Sequence, residues 1–538
     1  MKKLHRKLAL VLVMLLLVST SASVAGATTD EREMVGNTYV TGLPIVEEPE
    51  VFRILIEKRG SDKSNNQNEK DIMRILNEET NIIIEWEEVS SDINEKLNLL
   101  LSAGANLPDA FMTDPSEMTI LQHLGKIQPL NDMMEQWAPN ITKQVTENTV
   151  GGLDELKKAD GVIYTLPSGP YAEKANAASS ITAVPQAWLE QSGMDMPTNT
   201  DEFYEMLKYF KEHDMNGNGD PNDEIPLAFC QRNWATRIMG YAGPWGIGGN
   251  VADDYHNYYY VKDGKFVSIL DTVNFRDFLR YMHKLADEGL MNIEGFSMTN
   301  AQYSSLEQEQ VIGVHLMWAW PTNLPIPVMT TPGYEGQEVK QGQAGLRTAN
   351  MNGFFISKDC KNPEALLRWW DTWHRDANTK RTARDGKEGT LWIDNKDGTA
   401  TVVEPKPEDV PANLTSAGEI CFTDAFRTNG PVMFGDEVAA PDYDVVPITE
   451  DALRYQYYDM YVDYFRDEFL PVRAIPVEKN AELALIRTEL EAYISEFIAT
   501  SVVNGLSDEQ WEKHIDYLDK LRVDEWIQWY QDFIDGKF

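Results

Sequence analysis

The sequence VFRILI at residues 51–56 is a short apolar run of the kind that forms a buried strand. It is followed by a helical pattern at Lys70 to Glu79, a second apolar run at Ile82 to Val89, a second helical pattern at Ile93 to Ala103, and a third short run at Ala110 to Met112. Strands that alternate with helices are typical of βαβ units and a mostly parallel sheet. The segment therefore predicts an α/β fold.

A second α/β unit is expected to begin at Ile181, after the chain crosses over near Ser168 to Pro170. The apolar run VIGVHLMW at 311–318 and the pattern that follows it resemble the first unit more than the second. This resemblance predicts that the chain returns to the first lobe at this point. From Asp451 onward the pattern is helical.

The first 27 residues have the pattern of an export signal. Lys2, Lys3, Arg6 and Lys7 precede an apolar run from Leu8 to Val18, and Ala25-Gly26-Ala27 has the small residues that signal peptidase requires. We expect cleavage near Ala27. We therefore predict an extracytoplasmic location, which covers secreted, cell-surface and periplasmic proteins. No cysteine follows the apolar run to carry a lipid anchor.

The chain of 538 residues is strongly acidic, with a formal net charge of −38. A field of this sign repels nucleic acid and anionic lipid, so neither is an expected partner. A polyanionic ligand would need a local cluster of Arg or Lys, and no such cluster is evident in the sequence. The three cysteines are far apart, which favours buried single thiols with one optional bridge over a disulfide framework.

The stretch TDEFYEMLKYFKEHDMNGNGDPNDEIP, residues 200–226, combines an amphipathic helix with an acidic loop. Oxygen-bearing side chains recur in the loop mostly at alternate positions, with Gly217 and Gly219 between them. Such a pattern suits Ca²⁺. The match to an EF-hand is partial, because Ile225 stands where the bidentate glutamate belongs. An Asx-rich turn without metal is the alternative, although so many carboxylates would repel one another without a counter-charge.

No catalytic motif is found, and the buried pattern around His315 favours a core histidine over a general base. Tryptophans in loops or at strand ends are the stronger signal, because an aromatic face suits the C–H face of a sugar ring. The candidate ligand contacts are Trp318, Trp320, Trp234, Trp245 and Tyr164. Core packing is the alternative for each of them, and it explains the helical Trp369, Trp370, Trp373, Trp511 and Trp529.

Several short motifs, taken in order, resemble a known family. They are GLPIV (42–46), EWEEV (85–89), NLPD (106–109), DGVIYTLP (160–167), WLEQSGMDMPTNTDEF (188–203), EGL (288–290) and NGFFIS (352–357). The sequence is similar to the family 1 extracellular solute-binding proteins of bacterial ABC importers. The resemblance is greatest to the long, calcium-containing branch with the alginate-binding and LipO-type lipoproteins, and it covers nearly the whole mature chain.

The resemblance implies a two-lobed, type II periplasmic-binding-protein fold that closes over a sugar, and a structural Ca²⁺ in the acidic loop. The family's usual loop has its acidic pair one residue earlier, so Pro221-Asn222 is interpreted as a one-residue expansion. The ligands carried over are Asp214, Asn216, Asn218, Asp220, Asp223 and Glu224. Asp220 is expected to contribute a backbone oxygen in place of its carboxylate.

These inferences combine into one organisation with discontinuous lobes. The expected order is signal peptide (1–27), extended lead-in (28–50), first part of lobe 1 (51–168), first part of lobe 2 with the calcium loop (169–310), return to lobe 1 (311–380), and return to lobe 2 with C-terminal helices (381–538). The lobes would be joined near Leu166 to Pro170 and again near Trp320 to Pro325.

The predicted function is a monomeric, non-enzymatic binding protein that delivers an oligosaccharide to the membrane permease of an ABC importer. A secreted glycoside-active enzyme and a peptide-binding or sensor-associated protein remain the alternatives.

Overall fold

A computed structural model describes residues 32–538 with gaps at 59, 61, 91, 114, 116, 150, 171–180, 234, 249–257, 318–321, 335–337, 341, 344–352, 398–399, 404–409, 411–413, 415–419, 427–432, 435–459, 467 and 472–473. The expected signal peptide, residues 1–27, lies outside the described residues. Within them, strands and helices alternate along the chain, and the predicted α/β fold is confirmed.

The first lobe is built on a four-stranded sheet. Its order is Phe355–Ile356, Ala110–Met112, Glu50–Glu57 and Ile82–Val89. The strand Glu50–Glu57 is parallel to both of its neighbours, and Phe355–Ile356 is antiparallel to Ala110–Met112. Apolar side chains alternate between the two faces of the sheet, so each face has its own core of buried side chains.

The second lobe has a four-stranded sheet of its own. Its order is Asn323–Pro325, Ile181–Pro185, Ile312–Met317 and Ile225–Ala228. The strand Ile312–Met317 is parallel to Ile225–Ala228 and antiparallel to Ile181–Pro185. In both sheets, therefore, the strand that follows a passage between lobes lies antiparallel to its neighbour.

The remaining described strands are short. They are Met34–Val35, Thr38–Tyr39, Gly169–Pro170, Tyr259–Lys262, Lys265–Ser268, Gly342–Gln343, Trp392–Asp394, Ala400–Val402, Met433–Phe434 and Phe465–Arg466.

Helices cover both sheets and form the C-terminal region. The described α-helices of the first lobe are Asp71–Thr80, Ile93–Ala103, Glu117–Gln122, Asn131–Trp137, Pro139–Asn148, Pro363–Thr372, Ala377–Asp385 and Ile420–Thr423. Those of the second lobe are Gln186–Ser192, Thr200–Glu212, Val273–Asp287, Asn300–Gln308, Val477–Asn504, Asp508–Lys520 and Val523–Ile534. The last three pack their apolar faces into the core of the second lobe, as expected of amphipathic helices.

The predicted return to the first lobe at residue 311 is wrong. The strand Ile312–Met317 lies inside the second sheet, and Asn323–Pro325 forms its edge, so the chain does not cross near 320–325 either. Tyr334 still donates a hydrogen bond to Asp277 of the second lobe, at 2.5 Å. The first sheet is rejoined only at Phe355. An apolar strand fits either sheet, and its partner is not encoded locally.

The predicted boundary at residue 381 is also wrong. Ala383 and Phe426 are both buried in the core of the first lobe, next to residues such as Ile54 and Trp369. The first lobe therefore continues to Phe426. The second lobe is rejoined by Tyr461, whose hydroxyl donates to the carbonyl oxygen of Ile326.

Candidate functional site

The carboxyl ends of the parallel strands in the first sheet lie at one edge. Glu57 pairs with Val89, and Ile56 pairs with Met112, so all three strands end side by side. The strand that returns from the second lobe starts at the same edge, because Phe355 pairs with Phe111. In open α/β sheets, ligands bind outside the carboxyl ends of the strands.

The second sheet has the same arrangement. Ala228, the last residue of its strand, pairs with His315, and Met317 at the end of the next strand pairs with Ile181. Ile181 is also the residue at which the chain enters this sheet from the first lobe. In each sheet, therefore, a strand that the chain enters from the other lobe begins at the carboxyl edge, and we take these two edges as the candidate ligand site.

The loop after Ala228 is held by its own backbone. The amide of Cys230 donates to the carbonyl of Thr236 at 3.0 Å, and the amide of Asn233 donates to the carbonyl of Cys230 at 3.1 Å. The Asn233 side chain accepts from the amide of Ala235 at 3.0 Å. The described part of this loop is therefore held in one conformation beyond the carboxyl end of the strand Ile225–Ala228.

Three of the predicted ligand contacts, Trp318, Trp320 and Trp234, lie outside the described residues. The described strands that precede the first and the last of them end at Met317 and Ala228, at the carboxyl edge of the second sheet. Contact of these tryptophans with a ligand stays a prediction.

Trp245 packs as a core residue of the second lobe. Its side chain is 3% exposed, and its ring meets Phe278 edge-on with the ring centroids 5.3 Å apart. It lines a small internal cavity of about 20 Å³ together with Phe203, Tyr241 and Tyr281. This position is the core-packing alternative that the sequence left open for Trp245.

Tyr164 is also buried, in the core of the first lobe beside Phe355. Its hydroxyl donates to Asp160 at 2.9 Å. Burial raises the pKa of Tyr164, and the bond to the Asp160 carboxylate raises it further. The Tyr164 hydroxyl is therefore neutral and donates its proton to a fixed partner. Two residues later, Leu166 forms a β-bridge with Phe354 before the chain leaves the lobe.

His315 lies in the second sheet, as expected of a core histidine. Its side chain is buried, and burial lowers its pKa to about 4. The imidazole is consequently neutral at physiological pH, which suits a packed side chain.

The acidic loop joins the helix Thr200–Glu212 to the edge strand Ile225–Ala228. Asn199 is the N-cap of this helix, and its side chain accepts hydrogen bonds from the amides of Asp201 and Glu202, both at 3.0 Å. After the helix, Asp214 accepts from the amides of Gly217 at 2.7 Å and Gly219 at 2.9 Å. Both glycines have positive φ, 73° and 94°, a backbone conformation that other residues adopt at a cost.

Asx bonds continue the winding of the loop. Asn216 accepts from the amide of Asn218 at 3.0 Å, Asn218 from the amide of Asp220 at 2.8 Å, and Asp220 from the amide of Asn222 at 3.1 Å. Glu224 closes the loop by accepting from the amide of Met215 at 2.7 Å. The side-chain oxygens are thus oriented by the backbone they bind.

Two carboxylate oxygens of the loop are left over. Asp223 Oδ1 and Glu224 Oε2 are buried, and neither has a hydrogen-bond partner among the described residues. A buried carboxylate oxygen without a partner is costly, so a cation at this place would remove the penalty. The donor set fits Ca²⁺ on this count.

The side chains of the loop do not yet converge as a complete coordination shell. Asn218 Nδ2 donates to Asp223 Oδ2 at 2.5 Å, a contact that occupies one carboxylate oxygen. In the part of the chain that the structure describes, no group of three or more His, Cys, Asp or Glu side chains is placed to hold a metal ion. Ca²⁺ binding in this loop therefore stays a prediction, with the ligands Asp214, Asn216, Asn218, Asp220, Asp223 and Glu224.

Sequence reasoning selects Trp234 from the loop after Ala228 but none of the polar residues before it. Gln231, Arg232 and Asn233 come three to five residues after the last residue of a short apolar strand, and that position is the signal that could have identified them. Three consecutive polar residues match no motif. They become candidates only when the edge of the sheet that they occupy is known.

No family model matches this sequence. Among curated proteins, the chain is 26% identical over 492 residues to the fructooligosaccharide ABC transporter substrate-binding protein FusA of Streptococcus pneumoniae, covering 87% of both chains. It is 34% identical over 216 residues to the lipoprotein LipO of Bacillus subtilis, covering 40% of this chain and 39% of that protein.

Solved structures give the same fold. The structure of an EF-hand mutant of S. pneumoniae FusA in complex with fructo-nystose has a TM-score of 0.72 and 23% identity, covering 91% of this chain and 99% of the other. A second structure is that of an HMO-binding, ABC-transporter-associated solute-binding protein of Bifidobacterium longum infantis. It has a TM-score of 0.74 and 22% identity, with the same coverage.

These findings confirm two expectations. The fold is that of the two-lobed substrate-binding proteins. The resemblance to the solute-binding proteins of ABC importers is confirmed by FusA, which is an ABC transporter substrate-binding protein. Among the described residues, no helix has the length and apolar character needed to cross a membrane.

Proposed function

We propose that this chain is the extracytoplasmic substrate-binding protein of an ABC importer, and that it binds a neutral oligosaccharide between its lobes and delivers it to the membrane permease. The observation that carries the proposal is the position of the two carboxyl edges, which both border the segments that pass between the lobes. A ligand held there would contact both lobes and shift the population from open to closed.

The alignment with FusA supports an oligosaccharide as the ligand class. It extends over 87% of each chain, so it includes both lobes and not one shared module. The solved FusA and bifidobacterial structures are both named for oligosaccharides.

Electrostatics favours a neutral sugar over a polyuronate. The chain has 86 acidic and 48 basic residues, and its field opposes the approach of an anionic polymer. Hydroxyl groups carry no such penalty, and hydrogen bonds together with aromatic stacking are sufficient for their recognition.

We also propose a structural Ca²⁺ in the acidic loop. The buried, partnerless oxygens Asp223 Oδ1 and Glu224 Oε2 support it, and the FusA structure is described as an EF-hand mutant, which places a loop of this class in that protein. The ion would fasten the end of the helix Thr200–Glu212 to the strand Ile225–Ala228. Ca²⁺ should therefore act on stability and leave the sugar site nearly unchanged.

The proposed location follows from the amino-terminal pattern. Cleavage near Ala27 would leave an extracytoplasmic protein, and we expect it to act as a monomer with the permease as its protein partner and no role for nucleic acid.

Isothermal titration of the mature protein against a panel of oligosaccharides tests the ligand class. The panel contains neutral fructo-oligosaccharides, neutral milk-type oligosaccharides, oligogalacturonates and peptides. We expect tight binding to a neutral member. Tight binding to oligogalacturonates alone would overturn the neutral assignment, and tight binding to peptides alone would overturn the sugar assignment. Release of reducing sugar from a polysaccharide mixture would contradict a non-enzymatic role.

A further inference from the structure

Arg232 occupies a distinctive position in the second lobe. It lies four residues after Ala228, in the loop that follows the carboxyl end of the strand Ile225–Ala228. The sheet register places this end beside His315 and close to the entry point of the lobe at Ile181. Arg232 therefore lies at the carboxyl edge of the second sheet.

The backbone that carries Arg232 is fixed on both sides. The amide of Gln231 donates to the carbonyl of Gly295 at 2.9 Å, and the amide of Asn233 donates to the carbonyl of Cys230 at 3.1 Å. The neighbouring side chains of Gln231 and Asn233 are partly buried, whereas that of Arg232 is exposed. The backbone of a contact residue on a rigid support loses little conformational freedom on binding.

The guanidinium of Arg232 makes no hydrogen bond and no ion pair in the part of the chain that the structure describes. Other arginines of the second lobe have partners: Arg280 pairs with Asp508 at 2.6 Å, and Arg522 pairs with Glu525. Arg232 thus presents its donors to solvent at the carboxyl edge of the second sheet.

We propose that Arg232 is a ligand-contacting residue, which donates hydrogen bonds from the second lobe to oxygen atoms of the bound sugar. This inference rests on the proposed function. A guanidinium has five N–H donors in a planar fork, which can bind two adjacent oxygens together, as found in vicinal hydroxyls or a carboxylate. For a neutral sugar, the bonds are formed to hydroxyls, and the affinity does not depend strongly on salt.

The test compares the mature wild-type protein with R232Q, R232K and K143Q. Lys143 is an exposed cation on the helix Pro139–Asn148 of the first lobe, so K143Q removes one positive charge from the lobe that does not contain Arg232. Isothermal titration uses the tightest neutral oligosaccharide of the panel, at low and at high salt. Thermal unfolding without sugar is measured in parallel.

We expect R232Q to weaken binding by about ten- to a hundredfold, as for the loss of a hydrogen bond to a charged group. R232K should weaken it less, because an ammonium retains the charge but not the fork. K143Q should bind like the wild type, and the unfolding temperature of R232Q without sugar should be unchanged, since its side chain has no partner to lose.

Affinity of R232Q within about twofold of the wild type would overturn the inference while leaving the proposed function intact. A loss of affinity matched by a fall in unfolding temperature would also overturn it, because the residue would then be structural. Binding of oligogalacturonates alone, weakened by both salt and R232Q, would overturn the neutral ligand but retain the contact.

Discussion

Glu224 accepts a hydrogen bond from the amide of Met215 at 2.7 Å, which ties the last acidic residue of the loop to its beginning. Its other oxygen, Oε2, is buried and has no partner among the described residues. One half of this carboxylate therefore holds the loop, and the other half is available to a cation.

Replacing Glu224 by Gln should remove most of the stabilisation by Ca²⁺. The amide oxygen of Gln can still accept from Met215, but the charge and one anionic ligand are lost. An ion that binds only the folded state stabilises it by about 2.7 kcal/mol at a hundred times its Kd. Thermal unfolding with Ca²⁺ and with chelator should show this shift in the wild type and a much smaller one in E224Q.

The control for that experiment is E212Q, at an exposed residue at the end of the preceding helix. It removes one negative charge outside the loop and should retain the full calcium shift. An equal shift in E224Q would rule out Glu224 as a ligand. If chelation abolished sugar binding in protein that stays folded, the loop would belong to the sugar site.

Local patterns predicted the elements of this fold but not all of their neighbours. The alternation of strands and helices from Val51 to Met112 is visible in the sequence because burial imposes its periodicity. The sheet that receives Ile312–Met317 is not visible, because an apolar strand fits either core. The boundaries of the lobes failed for this reason.

The candidate site, too, could be predicted only in part from local sequence. The acidic loop was predicted because its chemistry is concentrated in eleven consecutive residues, Asp214 to Glu224. Trp245 is a candidate because its sequence context is that of a loop, yet the structure packs it against Phe278. Arg232 forms no motif, and only the register of the second sheet reveals that it lies at the carboxyl edge.

Lys70 is predicted to be essential for the stability of the first lobe. Its ammonium donates to the carbonyl oxygens of Phe422 at 2.8 Å and Ala425 at 2.7 Å, and it pairs with Asp62 at 3.1 Å. The Lys70 and Asp62 side chains are 1% and 6% exposed. Removing one partner of a buried ion pair costs about 3 to 5 kcal/mol, so K70M should lower the free energy of unfolding by this order.

Chemical denaturation of K70M and R74M measures the difference. Arg74 pairs with Asp71 at 3.7 Å, but its side chain is 65% exposed, so R74M should change stability by less than about 1 kcal/mol. Comparable effects of the two substitutions would mean that the pair of Lys70 is hydrated in solution.

Gly353 is predicted to tolerate no side chain where the chain re-enters the first lobe. A Cβ at this position would lie 2.2 Å from the Cβ and Oγ of Ser168 and 2.9 Å from its backbone nitrogen. Overpacking of this kind costs about 1 to 3 kcal/mol, so G353A should be destabilised by this order in chemical denaturation.

Two further variants test the cause of that loss. G125A is the control, because a Cβ at Gly125 would have no atom within 4 Å. S168G combined with G353A should recover part of the stability, since it removes the Ser168 Cβ and Oγ but leaves the close backbone nitrogen. No recovery would show that the side chain of Ser168 is not the obstacle.

Asp371 is predicted to make the stability of the first lobe depend on pH. It is buried on the helix Pro363–Thr372 and accepts hydrogen bonds from the amides of Asn140 at 3.3 Å and Ile141 at 2.9 Å. Both amides belong to the first turn of the helix Pro139–Asn148. Burial raises the pKa of Asp371 from 3.8 to about 6, and these hydrogen bonds, which lower the pKa, offset burial only in part.

Between about pH 4 and pH 6, therefore, the folded state holds a proton on Asp371 that the unfolded state has released. The stability contributed by this proton is complete below the unfolded pKa and is lost as the pH rises through about 6. At about 1.4 kcal/mol per pKa unit, the loss is on the order of 3 kcal/mol. Because D371N cannot titrate there, its free energy of unfolding in urea should fall less than that of the wild type over this window. Parallel profiles for the two proteins would mean that Asp371 is ionised throughout and that its hydrogen bonds outweigh its burial.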